Sequence, residues 1–420
     1  MMDRRRFATL LAGSAAAPLL TSGVSSRMAL GQVAKGKTVF YASVGPELSL
    51  YDIDVEGAAL AKRSAVTLPA NVQYAWPHPS RQYFYVVSSN GGPGVAGDKH
   101  VANALRIDPA SGGLQPHGEP QVLPSRPIHA SVDMAGEHLL TCYNDPSALT
   151  VHRINRDGTL GAKVEQPNKL DTGIYAHQIR ATPDNQNVIL ITRGNNAPGN
   201  NPIDPGSIKT FGFKGGLLTQ LAGIQPGNGS EFGPRHLDFH PTLPLVYVSI
   251  ESQNKLYVYK RDGTTALARE PSFIKETLAD PKSPARQGAG TIHVHPNGRF
   301  VYLTNRAAAV VEFEGKKVFA GGENSVAAYA IDPATGEPTL IQNIDGRGIQ
   351  LRTFAIDPSG RLLVAASIMP LPVRDGGTVK TLTAGLSVFR IGADGKLDFV
   401  RKYDVETGNR QQFWSGMVTL

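Results

Sequence analysis

The sequence predicts an all-β protein: a seven-bladed β-propeller with four antiparallel strands per blade. Three observations carry that expectation. A strand–turn–strand pattern recurs six times along the 420 residues. Each copy is followed by a third strand-like run and a fourth, more polar one, so four strands repeat every ~50 residues, the period of a propeller blade. Strand-like remnants at the two chain ends supply one more unit. Joining them in a seventh blade closes the ring and removes its free edges.

The hairpins fall at 74–90, 129–144, 177–193, 235–251, 290–306 and 352–368. Their turns centre on Pro79, Met134, Pro183, Pro241, Pro296 and Pro358, at steps of 55, 49, 58, 55 and 62 residues. The best-formed turns read Asp357-Pro358-Ser359-Gly360 and His295-Pro296-Asn297-Gly298. Proline presets the turn, and glycine takes the positive φ. Third strands are read at 148–154, 207–214, 255–261, 325–332 and 385–392. The N-terminal remnants are 38–43, 48–54 and 59–68, and 413–418 at the C terminus is the expected innermost strand of the shared blade. Residues 37–420 thus read as one propeller domain.

Composition agrees with this class. Hydrophobic residues make up 41% and charged residues 18%, with 45 Gly and 30 Pro to supply turns. Residues 1–31 read as an export signal. Asp3-Arg4-Arg5-Arg6-Phe7 resembles a twin-arginine motif, a mildly apolar run follows from 8 to 20, and cleavage is expected near Ala29-Leu30-Gly31. The apolar run is too short to span a bilayer. No Cys lies near the cleavage region to carry a lipid, so no stable membrane anchor is expected. The predicted location is the periplasm or the medium, and the export machinery of the twin-arginine route is an expected partner. Removing residues 1–31 takes four Arg and one Asp from a formal charge of +7, leaving +4. That is mild, and no basic cluster is interleaved with aromatics, so nucleic acid is not an expected partner. The single Cys142 has no disulfide partner and lies in an apolar strand.

The hairpin geometry places the chemistry. The start of a first strand and the end of the second lie on one face. Five or six residues before the turns stand His129, His177, Arg235, His236, Thr291 and Arg352, with His293 three before its own turn. Ten residues after the turns stand Ser89, Asn144, Arg193, Glu251, Arg306 and Ile368. Histidines, arginines and one glutamate therefore converge at one mouth, and burying so many polar groups is costly unless they bind water, a ligand or each other. The loops from second to third strand are long at 91–99, 194–206, 307–324 and 369–384, and they emerge on that same face. Long loops around a polar mouth predict a cleft for a small molecule.

At these residues the sequence resembles a known family. Gly-Pro-Arg-His…Phe-His-Pro at 233–241, Ile-His-Val-x-Pro-x-Gly-Arg-Phe-x-Tyr at 292–302 with Asn305-Arg306, and Arg-x-Phe-x-Ile-Asp-Pro-Ser-Gly-Arg at 352–361 look like the seven-bladed lactonases. That family includes bacterial 6-phosphogluconolactonases and the fungal carboxymuconate-lactonising enzyme. The resemblance spans about 37–418. His129 and His177 fall on family His positions, and Glu251 on an Asn-Glu position. The chain departs from the pattern at Ile250, Thr291, Arg193 and Leu351.

The resemblance implies a hydrolase opening a small sugar-type lactone: gluconolactone, another aldonolactone, or 6-phosphogluconolactone. Such a reaction needs a base to activate water and positive donors for the developing oxyanion. Glu251 or His236 is the expected base. Arg235 and Arg306 are expected to hold the oxyanion or an acid group, and His177 and His129 to orient hydroxyls or protonate the leaving oxygen. His293, Arg352 and Arg193 complete the expected substrate contacts. Two other readings remain open, a cycloisomerase closing a muconate-type acid and a propeller that binds without catalysis. No cofactor is expected. Zinc on His129, His177 and His236 is chemically conceivable, but the neighbouring arginines disfavour a cation. His78, His240 and His295 sit beside turn prolines on the opposite face and read as structural. Residues 71–76 and 411–414 offer an aromatic floor for a sugar ring, with core packing the simpler role for Trp76 and Trp414.

Overall fold

A computed structural model describes residues 36–420 apart from residue 93, residues 196–203 and residue 230. The export signal expected at 1–31 lies outside the described residues. Among the described residues the chain forms seven antiparallel blade sheets, five of four strands and two with a fifth short strand at the outer edge. The innermost strands, in ring order, are Asn71–Pro77, Pro127–Val132, Ala176–Ala181, Pro234–Phe239, Gln287–Val294, Leu351–Ile356 and Gln412–Thr419. We number the blades 1 to 7 in that order. Each innermost strand touches the next, and that of blade 7 touches that of blade 1, so the ring is closed. Blade 7 joins the termini as expected: Gln412–Thr419 pairs with Thr38–Val44, followed outward by Glu47–Asp54 and Ala59–Thr67.

Second strands such as Tyr83–Ser89 and Leu245–Ile250 are buried along almost their whole length. Both of their faces meet a neighbouring sheet, which is why they are continuous apolar runs rather than alternating ones. Seven hydrophobic clusters result, one in each interface between neighbouring blades. Val39 and Tyr41 pack toward blade 1, while Phe40 and Ala42 on the other face pack toward blade 6. Trp414 and Cys142 are core residues, and burial pushes the Cys142 thiol far up.

Side-chain latches tie blade 7 to 1, 1 to 2, 4 to 5 and 5 to 6. Tyr41, Tyr85, Tyr247 and Tyr302 donate hydroxyl hydrogen bonds to the carbonyls of Gly112, Gly158, Gly336 and Gly395, at 2.6, 2.9, 2.7 and 2.8 Å. On the turn face, Nε2 of His78, His240 and His295 lies 2.9, 2.9 and 2.8 Å from the carbonyl oxygens of Gly136, Gly298 and Gly360. Nδ1 of the same rings accepts from the N–H of Ser80, Thr242 and Asn297. One nitrogen donates and the other accepts, so each latch uses the neutral imidazole.

Two features differ from the sequence reading. The outer edges of blades 1 and 4 are each built from two short strands on the third strand, Leu114–Pro116 with Gln121–Val122 and Ala266–Leu267 with Phe273–Glu276. Two of the long loops fold into hairpins: Val310–Phe313 with Lys316–Phe319 in blade 5, and Leu371–Asp375 with Thr378–Leu382 in blade 6. Their strands are short, charged and exposed, so hydrophobic periodicity did not mark them. Glu314 and Gly315 both take positive φ, 49° and 71°, the geometry of a type I′ hairpin turn.

The latches predict a specific stability difference. At Gly298 a Cβ would sit 2.8 Å from the His240 ring with φ at +71°. At Gly315 φ is also +71°, but nothing lies within 4 Å. Gly298→Ala is expected to cost about 1–3 kcal/mol, and Gly315→Ala about 1 kcal/mol from backbone strain alone. Urea unfolding of the two variants checks this, and equal losses would remove the latch from the account.

Candidate active site

Every innermost strand carries a β-bulge near its start. The register skips between Val72 and Tyr74, Pro127 and His129, Ala176 and Gln178, Pro234 and His236, and Leu351 and Thr353, with matching slips at 289–292 and 412–415. The extra residues are Gln73, Ile128, His177, Arg235 and Arg352. A bulge inserts one residue against the partner strand and re-aims its side chain. Ile128, His177, Arg235 and Arg352 line one cleft of about 1350 Å³. From the ends of the second strands, Arg193, Glu251, Arg306 and Ile368 line the same cleft. Of the positions counted along the hairpins, His177, Arg235, Arg352, Arg193, Glu251, Arg306 and Ile368 line the cleft, and Ser89, His129, Asn144, His236 and Thr291 do not.

At the cleft floor one carboxylate faces three guanidinium groups. Glu251 Oε2 is 3.1 Å from Arg235 Nε, while its Oε1 is 3.2 Å from Arg306 Nη2 and 3.7 Å from Arg193 Nη1. Arg235 is 1% exposed, and the Glu251 side chain 22%. The Arg235–Glu251 approach lies off the hydrogen-bonding direction. Arg235 Nε and Nη1, Arg306 Nε, Glu251 Oε2 and His177 Nδ1 are all buried without a hydrogen-bond partner. Burial alone would raise the Glu251 pKa, but Arg306, Arg235 and Arg193 outweigh it and hold the carboxyl below its usual value. Burial, and then Arg306, draws Arg235 down from the usual arginine range.

Beneath the floor the channel holds a stack of imidazoles. His236 lies 5.2 Å from His177 and 6.0 Å from His129, ring to ring, and Tyr74 covers His129 at 3.9 Å. Burial first, and nearby arginines second, pull all three histidines well below the usual imidazole pKa, so they are neutral at pH 7. His177 lines the cleft, whereas His236 and His129 lie behind it and outside the lining. Among the described residues, no group of three His, Cys, Asp or Glu is arranged to hold a metal ion.

His293 stands apart from this set. Its Nδ1 is 3.5 Å from Asp238 Oδ2, and Asp238 also meets Arg180 at 3.5 Å, with Arg180 over the Trp76 ring at 4.6 Å. Asp238, Arg180, Trp76 and His293 each lie three residues before a turn, so they share the turn end of the channel. His293 was expected to contact substrate, and the structure does not bring it to the cleft. The departures from the family pattern have structural roles. Ile250 and Leu351 are core residues, Thr291 donates to the Arg352 carbonyl at 2.8 Å, and Arg193 packs on Tyr175 at 3.9 Å.

Sequence reasoning passed over Arg126, Tyr175 and Arg286, all of which line the cleft. Arg126 lies eight residues before its turn, outside the counted window. The available signal was its place immediately before Pro127, at the head of an innermost strand. Phe413, from the 411–414 run, also lines the cleft.

A family model described as "Lactonase, 7-bladed beta-propeller" matches residues 37–368. The chain belongs to that family. A 6-phosphogluconolactonase from Bacillus subtilis is 26% identical over 325 residues, covering 76% of this chain and 83% of the relative. One from Cronobacter sakazakii is 26% identical over 340 residues, covering 79% and 87%. Among solved structures, a periplasmic gluconolactonase from Pseudomonas aeruginosa shares the fold with a TM-score of 0.68 at 20% identity, covering 88% of this chain and 97% of that one. This propeller lactonase buries several histidines and carboxylates, and they govern how its stability responds to pH. His129, His177, His236 and His240 have depressed folded pKa values, whereas the unfolded chain takes up protons near pH 6.5. The unfolded state therefore binds more protons as pH falls, and stability drops with it. The carboxylates of Glu251, Asp238 and Asp133, also depressed, add a second loss when pH falls below about 4.5. Thermal unfolding is expected to show its highest midpoint above about pH 7 and a decline from pH 7 to 5. A flat midpoint across that interval would contradict neutral burial of the histidines.

Proposed function

We propose that the cleft hydrolyses a small sugar lactone at the Glu251 floor. One observation carries the reading: a buried carboxylate oxygen and three buried guanidinium N–H groups, all unpaired, face one another where substrate would sit. Unsatisfied groups of this kind are costly in a folded protein, and a binding or catalytic role accounts for them. Membership of the lactonase family and the 6-phosphogluconolactonases among the relatives favour hydrolysis over cyclisation or binding alone.

The roles follow from the geometry. Glu251 is ionised throughout the neutral range, and its free Oε2 accepts a proton from water as the water oxygen attacks the lactone carbonyl. Arg235 and Arg306 donate to the oxyanion of the tetrahedral intermediate, where buried, pre-placed positive donors act most strongly. Collapse breaks the ring C–O bond, and the proton that Glu251 took from water passes to the departing oxygen, with the neutral His177 taking it up as it gives its own N–H proton to the leaving group. His236, stacked against His177 below the floor, positions it. The product is a hydroxy acid. Glu251 also neutralises the arginines, so its role is tested with the fold monitored.

Lactone hydrolysis by the mature protein can be followed in weak buffer with a pH indicator, subtracting spontaneous opening. Gluconolactone, other aldonolactones and a phosphorylated sugar lactone form the panel, each with and without chelator. Glu251→Gln is expected to lower kcat by about 10²–10⁴-fold, and Arg306→Ala by about 10²–10³-fold. The Glu251 variant should also lose about 1–3 kcal/mol of stability, because three guanidinium groups lose their counter-charge. Activity that survives Glu251→Gln in a folded variant would exclude Glu251 as the base. Activity lost only with chelator would replace this mechanism with a metal-dependent one.

We also infer export by the twin-arginine route, which places the reaction outside the cytoplasm. Support comes from the order of charge, apolar run and small residues in 1–31, and from the structural relative described as periplasmic. No helix among the described residues is long and apolar enough to cross a membrane. Replacing Arg4, Arg5 and Arg6 together by Lys is expected to leave uncleaved precursor in the cytoplasm, as fractionation would show. Unchanged export would rule the route out.

A further inference from the structure

We propose that Arg126 and Arg352 form an oxyanion subsite that selects lactones bearing a carboxylate or phosphate away from the ester. The proposal rests on the hydrolytic reading above and names the class of substrate that site takes. Six arginines line the cleft, against Asp204, Glu231 and Glu251. Three of the six, Arg193, Arg235 and Arg306, converge on Glu251. Arg126 and Arg352 have no acidic partner among the described residues.

Both are nevertheless held in place. Arg126 is 6% exposed. Its Nε donates to Gln73 Oε1 at 2.9 Å, and Gln73 is itself tied to the Asn71 carbonyl at 3.2 Å. Arg352 Nε donates to the Phe413 carbonyl at 3.2 Å, and the Arg352 carbonyl accepts from Thr291. Each guanidinium is thus fixed through Nε, and its terminal nitrogens stay free of protein partners among the described residues. Both lie against one ring, with Arg352 3.5 Å and Arg126 5.8 Å from the Phe413 centroid. Two guanidinium forks held against one aromatic ring suit a planar or tetrahedral oxyanion, which accepts several charge-assisted hydrogen bonds at once. The pair is also electrostatically short of a counter-charge. Burial, then Arg306 and Arg126, brings the Arg352 pKa down to about 9, and a bound anion relieves that repulsion.

The pair and the reacting end come from different blades. Arg126 heads blade 2, Arg352 heads blade 6 and Phe413 belongs to blade 7, whereas Glu251 ends the second strand of blade 4. In a ring of seven, blade 4 lies across the channel from blade 7. A ligand spanning the mouth sets its ester at Glu251 and its charged group at Arg126 and Arg352.

The test compares three substrates: D-glucono-1,5-lactone, which is neutral, D-glucaro-1,4-lactone, which carries a carboxylate, and 6-phosphogluconolactone, which carries a phosphate. The reading is kcat/KM for each anionic lactone divided by kcat/KM for the neutral one. The wild-type ratio is expected to reach at least about tenfold for one anion, and which anion shows it distinguishes carboxylate from phosphate. Arg126→Gln should reduce that ratio about tenfold or more, mainly through KM, and Arg126→Lys should retain part of it. A wild-type ratio near one for both anions, or a ratio unchanged within about twofold in Arg126→Gln, overturns the proposal. If the Gln variant does not fold, the Lys variant carries the comparison. A calorimetric arm measures affinity for glucarate, 6-phosphogluconate and gluconate. Anion-selective binding that weakens in the Arg126 variant, with no lactone turned over, keeps the subsite and rejects the hydrolase reading. Turnover without anion preference does the reverse.

Discussion

The innermost strand of each blade has one edge with no partner strand. Blades meet there side by side around a channel, and the backbone groups on that edge must find other partners, because an unpaired buried N–H or carbonyl costs stability. Side chains from neighbouring blades supply them. Gln178 accepts from the Leu237 N–H at 2.6 Å, Asp238 from the Val294 N–H at 3.0 Å, and Ser131, Ser249 and Thr291 donate to the carbonyls of Ile179, Gly290 and Arg352 at 2.7–2.8 Å. Much of the polar character of the channel is thus structural. Asp238, and with it His293 and Arg180, serves the ring before it serves any ligand.

The cleft residues are what remains after that demand is met. The bulges near the strand starts release His177, Arg235 and Arg352 from the ladder and turn them toward the mouth. Glu251 then makes the cluster tolerable. Without it, three guanidinium groups would share a small, poorly solvated volume with nothing to offset their repulsion. With it, one negative charge offsets part of the three positive ones, and the floor keeps unmatched donors and an unmatched acceptor. Hydrolysis of an uncharged ester linkage needs that combination: polar groups that pair only with water and the developing oxyanion, in a setting that excludes bulk solvent. The hairpins at 310–319 and 371–382 touch one another through Arg374 over the Phe313 ring at 4.1 Å.

Much of the fold was legible because a blade has a strong local signature. Turns centred on Pro, or on Met134 in one blade, mark each hairpin, two of them as Pro-x-Gly at 296–298 and 358–360, and the apolar second strands match their sequence ranges within a residue or two. Leu362–Ser367 and Asn187–Thr192 are examples. The outer strands and inserted hairpins were less legible, because exposed short strands carry no hydrophobic period. For the site, counting along hairpins brought His177, Arg193, Arg235, Glu251, Arg306 and Arg352 to one face. It misplaced His293, which lies at the turn end, and missed Arg126, which precedes its strand.

The sequence by itself determined the blade count, the shared seventh blade and the face that carries the charges. Each of those depends on strand alternation and turn chemistry, which act between residues near one another in the chain. Only the tertiary structure decided which charges pair. That Glu251 takes Arg193, Arg235 and Arg306 while Arg126 and Arg352 are left to share Phe413 depends on where seven separate strands stop around one axis. It also depends on single-residue bulges that shift a side chain from one face of a strand to the other. Neither leaves a trace in the spacing of residues, because a bulge adds one residue to one strand and is read only against its partner.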